Sequence, residues 1–121
     1  SGANDILFRD AVSPADDDFF RVQTTTQIRA KIGSSSAMNY DANPTISTGS
    51  FINIGFERDA DNNCRAYQGG AQQDSEIENA EPFNLDRVMG AFDGICVEII
   101  VTNAALSNTD RSNLNNYLNN L

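Results

Sequence analysis

The residues in this chain best suited to chemistry are carboxylates. Glu76-Ile77-Glu78-Asn79-Ala80-Glu81 sets three glutamates within six positions. Two carboxylates flanking one bond can divide the work of glycoside hydrolysis, one as nucleophile or base and the other as acid. Here Pro82 follows at once and the flanks are polar, so the string reads as a solvated acidic loop and the chain as non-catalytic. There is no histidine. That removes the commonest general base and the commonest transition-metal ligand, and with them Ser–His–Asp and Cys–His arrangements. No glycine-rich phosphate loop is present.

Hard oxygen ligands collect at Asp16-Asp17-Asp18 and at Asp59-Ala60-Asp61-Asn62-Asn63. Asp59, Asp61 and Asn63 at alternate positions mimic the opening of a calcium loop, but the glycine and bidentate glutamate of such a loop do not follow. They are the candidate metal ligands, calcium the candidate ion, and plain turn formation by Asp and Asn the competing reading. For a sugar, Tyr40 and Tyr67 offer aromatic platforms, with Asn39, Asp41 and Asn43 on the same expected loop as Tyr40. The absence of Trp weighs against such a site, because indole rings are its strongest stacking surfaces.

The elements that must position these groups are mostly strands. Period-two alternation marks half-buried strands, and it recurs over 18–23, 27–32, 51–57, 64–67, 85–92 and 95–102. Thr24-Thr25-Thr26 reads as a hairpin turn, 33–43 as a loop, 58–63 as a tight turn and 71–81 as a connecting loop. The last strand is apolar on both faces, Ile95, Val97, Ile99 and Val101 on one and Cys96 and Ile100 on the other, which predicts a central position. A terminal helix follows, with Ser107 as N-cap, Asp110 completing a short capping box, and an apolar stripe of Leu106, Leu114, Tyr117, Leu118 and Leu121. The expected fold is an all-β antiparallel jelly roll or β-sandwich with one short C-terminal helix, in a single domain spanning 1–121.

Composition narrows the partners. Eight basic and seventeen acidic residues give a net charge of −9, a field that repels nucleic-acid phosphates and anionic membranes. No apolar run reaches the ~18 residues of a membrane span. Ser1 to Asp5 has neither the basic nor the apolar region of a signal peptide. Cys64 and Cys96 permit at most one bridge, and as members of apolar strands both read as buried free thiols rather than a disulfide.

Gly94-Ile95-Cys96-Val97-Glu98-Ile99-Ile100-Val101-Thr102-Asn103-Ala104-Ala105-Leu106-Ser107 resembles the closing signature of concanavalin A-like, laminin-G-type jelly rolls, in which a strand of this pattern runs into Ala-Leu-Ser and a short helix. Arg111, Leu114 and Tyr117-Leu118 match that helix, Phe51 matches an aromatic strand start, and the run from Phe56 to Gly70 resembles the family's Arg-Asp hairpin. The similarity extends from about Ile6 to the C-terminus. It implies protein or glycan binding without catalysis, and a place in a virion (capsid decoration or tail fibre) or at a cell surface. The alternative it carries is a monomeric lectin-like domain, calcium-dependent in some members. Complete domains of this type have further strands ahead of the position where this sequence starts, and these pair with the closing strand. The expectations are therefore a fragment, a reduced fold, or an edge supplied by a neighbouring subunit, the last implying self-association or a protein scaffold.

Overall fold

The computed structural model describes residues 5–9, 18–47, 49–91 and 94–121. Among these, eight strands and one helix follow in the order β1 (Asp5–Arg9), β2 (Phe19–Thr24), β3 (Gln27–Lys31), β4 (Met38–Asp41), β5 (Ile54–Arg58), β6 (Asn63–Gln68), β7 (Ala71–Glu78), β8 (Arg87–Ala91) and α1 (Asn108–Leu118). The strands form a five-stranded sheet ordered β4-β3-β2-β1-β8 and a three-stranded sheet ordered β5-β6-β7. Every pairing is antiparallel. The chain is an all-β sandwich with a single short C-terminal helix.

Alternation drives the packing. Phe20, Ile28, Ala30, Met38 and Tyr40 point inward from the larger sheet and meet Cys64 and Ala66 from the smaller one. The Phe20 and Phe56 rings join the sheets at 5.5 Å between centroids, and Phe83 closes edge-on against Phe56 at 5.7 Å. β2 and β3 form the expected hairpin through Thr25-Thr26. Gly69 and Gly70, at φ +57° and +80°, make the two-residue turn between β6 and β7. Positive φ at both turn residues matches the strand twist and favours glycine.

Asp18 is almost wholly buried. Its carboxylate accepts from the Gly33 and Asn84 amides, each at 2.5 Å, and so binds the two loops that flank the sheet. One acid of the expected ligand-rich triplet is thus an internal clamp. Asp16 and Asp17 lie outside the described residues.

Four sequence expectations change. Residues 33–43 contain β4, because Met38 and Tyr40 supply two buried positions beside β3. Residues 71–81 are strand β7 as far as Glu78, with only Gln73 buried and Ile77 half-buried as inward anchors. Its polar outer residues concealed the alternation. β5 starts at Ile54, and Phe51 is exposed. The apolar run 95–101 is no strand: Ile95, Val97 and Val101 are 75%, 57% and 79% exposed, and among the described residues the run pairs with no strand. The periodicity is real, but a strand exists only when its amides find a ladder. Cys96 is accordingly exposed while Cys64 is buried, and both are free thiols.

Helix α1 begins as expected. Ser107 accepts from the Asp110 amide at 3.1 Å, and its hydroxyl donates to the Asp110 carboxylate at 2.6 Å. The stripe does not sink into a core. Leu106, Leu114 and Leu118 are half-buried, whereas Tyr117 and Leu121 are exposed. Among the described residues no helix is long and apolar enough to cross a membrane.

Candidate functional site

A cleft of about 590 Å³ lies where the start of α1 meets the outer face of the smaller sheet. Glu57, Asp59, Arg65, Tyr67, Leu106 and Arg111 are among its lining residues. Strand register sets Glu57 opposite Arg65 and Gly55 opposite Tyr67, so three functional side chains emerge on the face away from the core. A Cβ at Gly55 would meet the Tyr67 Cβ at 3.9 Å, an ordinary van der Waals contact.

Glu57 is the hub. It accepts from the Tyr67 hydroxyl at 2.7 Å and from Arg111 at 2.9 Å on each oxygen, and it pairs with Arg65 at 3.5 Å. Burial acts to raise its pKa, but the hydrogen bonds from Arg111 and Tyr67 and the two guanidinium charges outweigh it, so the carboxyl sits below its ordinary range. Tyr67 responds in the opposite sense: burial, its hydrogen bond to Glu57 and the Glu57 charge push its phenol up to about 12. The Arg111 guanidinium lies 4.3 Å over the Tyr67 ring and donates to the Leu106 carbonyl. Arg65 reaches Asp59 at 2.8 Å and Glu76 at 2.5 Å. Burial acts to lower the Arg65 pKa, and these carboxylates raise it overall.

Chemically, this is a closed network. A carboxylate held ionised by three donors is a poor proton donor near neutrality. Each cation already meets an anion, so the cleft locks α1 onto the sheet. Glu76 belongs to it through Arg65, whereas Glu81 lies past the end of β7 with its carbonyl accepting from Arg58 at 2.6 Å.

The candidate metal ligands build the β5–β6 turn. Asp59 accepts from the amides of Asp61 and Asn63 at 2.9 and 3.0 Å and from the Asn63 side chain at 3.3 Å. The Asn63 amide, with burial opposing and Arg65 assisting, lowers the Asp59 pKa. Asn62 at φ +66° makes the corner. No group of three or more acidic or sulfur ligands placed to hold a metal occurs among the described residues.

Tyr40, expected on an open loop, is fully buried, and its hydroxyl donates to the Cys64 carbonyl at 3.1 Å. Burial, assisted by nearby Cys64 and Asp74, raises its pKa strongly. Alternation along β4 turns Asn39 and Asp41 to the opposite, exposed face. The three do not converge, and the Asn43 amide is bound to Gln73 at 2.7 Å. Tyr67 lies in the cleft, beneath Arg111.

Sequence reasoning missed Glu57, Arg65 and Arg111 as a unit, since they are brought together from β5, β6 and α1. It also missed a group of cations on the larger sheet. Arg9, Arg21, Arg29, Lys31 and Arg87 come from four strands that sheet pairing brings side by side.

No protein-family model, curated protein or solved structure matches this chain.

Proposed function

We propose that this protein is a non-catalytic structural or adhesive module that works by assembling with a neighbouring subunit. One observation carries the reading. Ile95 to Val101 is the most apolar stretch of the chain, and Ile95, Val97, Ile99, Ile100 and Val101 are all substantially exposed. An aliphatic side chain taken from exposure to full burial contributes about 1.5–3 kcal/mol. Five together are a strong drive toward strand addition. The alternating order lets an incoming strand pair with the backbone while the aliphatic row packs on the neighbour.

The resemblance to concanavalin A-like jelly rolls supports the same direction, since the segment in question is the one that resembles their closing strand. It also supports a virion or cell-surface setting. Light scattering over a concentration series tests the reading. The unaltered chain should form a defined oligomer in high salt, and Ile99→Lys should reduce it to a monomer with an unchanged far-ultraviolet spectrum. A monodisperse monomer at all concentrations would overturn it.

A further inference from the structure

The two sheets of the sandwich differ in width. β7 lies against β4, where the Asp74 carboxylate accepts from the Asp41 amide and Gln73 accepts from the Asn43 amide at 2.7 Å. At the other side of the smaller sheet, β5 meets β2 through the Phe56 and Phe20 rings. The three strands therefore span β4, β3 and β2, and among the described residues no strand covers β1 and β8.

Apolar side chains continue past that limit. Phe8 stands opposite the buried Phe20, and Val88 stands opposite Phe8, so all three share the inward face. Exposure rises along the row: Phe20 is buried, Phe8 is half-buried and Val88 is 54% exposed. This is a shelf of core surface without the second layer that sandwiches place over it. Beside it runs the outer edge of β5, with Phe83 bordering it edge-on to Phe56. The Gly69 amide donates to the Asn53 carbonyl and the Asp59 amide to the Asn63 carbonyl, which fixes the phase of the β5–β6 ladder. Alternation then turns the Ile54, Phe56 and Arg58 amides away from β6, toward the shelf side.

The run 95–101 has the pattern this gap lacks. Ile95, Val97, Ile99 and Val101 recur at the two-residue period of a strand, and all four are exposed. Only three residues separate Ile95 from the end of β8, which borders the gap. Within one copy the run is tethered to α1 instead, Glu98 accepting from the Tyr117 hydroxyl at 3.3 Å.

We propose that residues 95–101 of one copy add beside β5 of a second copy as the fourth strand of its smaller sheet, covering Phe8 and Val88, and that the second copy donates in return. The proposal rests on the assembly reading above and supplies its acceptor and its stoichiometry, since a two-fold exchange closes at a dimer. Each inward aliphatic side chain covers roughly 60–120 Å². Four on each exchanged strand, with equal area covered on the acceptors, bury on the order of 1,000–2,000 Å², the size of a stable interface. Both copies carry a charge of −9, so the association strengthens as salt screens their repulsion.

The test compares Ile99→Lys, which spoils the donor, with Val88→Lys, which spoils the shelf at an exposed position. In high salt the unaltered chain should be a dimer by light scattering, and each variant alone should dimerise at least about tenfold more weakly. Their mixture should form a one-to-one heterodimer, because one chain keeps a working acceptor and the other a working donor. Val88→Ile should retain the dimer, and unchanged far-ultraviolet spectra in both Val88 variants separate lost contact from misfolding. Amide hydrogen exchange locates the added strand: Ile54 and Phe56 should be at least about tenfold better protected in the dimer than in Ile99→Lys. A dimer that Val88→Lys leaves intact, or one in which those two amides gain no protection, would overturn the exchange and leave the assembly reading standing. A monomeric parent would overturn both, and protection of the two amides in that monomer would mean that the run closes on β5 of its own chain.

Discussion

Replacing Glu57 by Gln should strip the cleft of the charge on which its donors converge. The side chain is 13% exposed and Arg111 is 16% exposed, so solvent screens the pair only weakly. Hydrogen bonds to charged groups contribute about 1.5–3 kcal/mol each. The Arg111 contact, shared between both Glu57 oxygens, and the 2.7 Å bond from Tyr67 are the strong ones, and Arg65 at 3.5 Å adds little. Gln keeps one oxygen for Tyr67 but turns an amide donor toward a guanidinium donor. The expected loss is about 2 kcal/mol, or roughly 4 °C per kcal/mol in Tm at this chain length. Urea unfolding measures it, and hydrogen exchange should show α1 amides losing protection first, because Arg111 anchors the helix to β5. A double-mutant cycle with Arg111→Met, which retains the apolar stem, isolates the pair. We expect a coupling of about 1–2 kcal/mol. A coupling below about 0.3 kcal/mol, or α1 protection unchanged in Glu57→Gln, would refute the assignment of Glu57 as the hub.

Asp18→Ala should orphan the Gly33 and Asn84 amides and cost about 2–5 kcal/mol by urea unfolding; Asp18→Asn, which keeps one acceptor, should cost clearly less. Stability should also fall in acid, with its sign set by Glu57 and Asp59, whose folded pKa values both lie below their ordinary ones. That contribution is fully present above the unfolded carboxyl value of about 4 and is lost as pH falls through the lower folded values. Urea midpoints measured from pH 6 to pH 2 should show the drop, and Glu57→Gln should shrink it.

Short-range chemistry decided much of this protein in advance. The β2–β3 hairpin, the Asp59–Asn63 turn and the Ser107 cap are each set by neighbours a few residues apart, so their residue types were sufficient to locate them. An all-β sandwich followed from alternation, since a strand that hides alternate residues requires a second layer. A composition without histidine rules histidine chemistry out by itself. The tertiary structure decided the rest, because the deciding partners are remote in sequence. Tyr40 became core instead of platform only when β4 paired with β3 and brought its hydroxyl to the Cys64 carbonyl. β7 exists despite its polar residues because β6 supplies the ladder. Residues 95–101 have the stronger strand pattern but pair with no strand among the described residues, so they stay exposed. Glu57, Arg65 and Arg111 became one network, and five scattered cations one face, through register and sheet order, and neither can be computed from spacing along the chain.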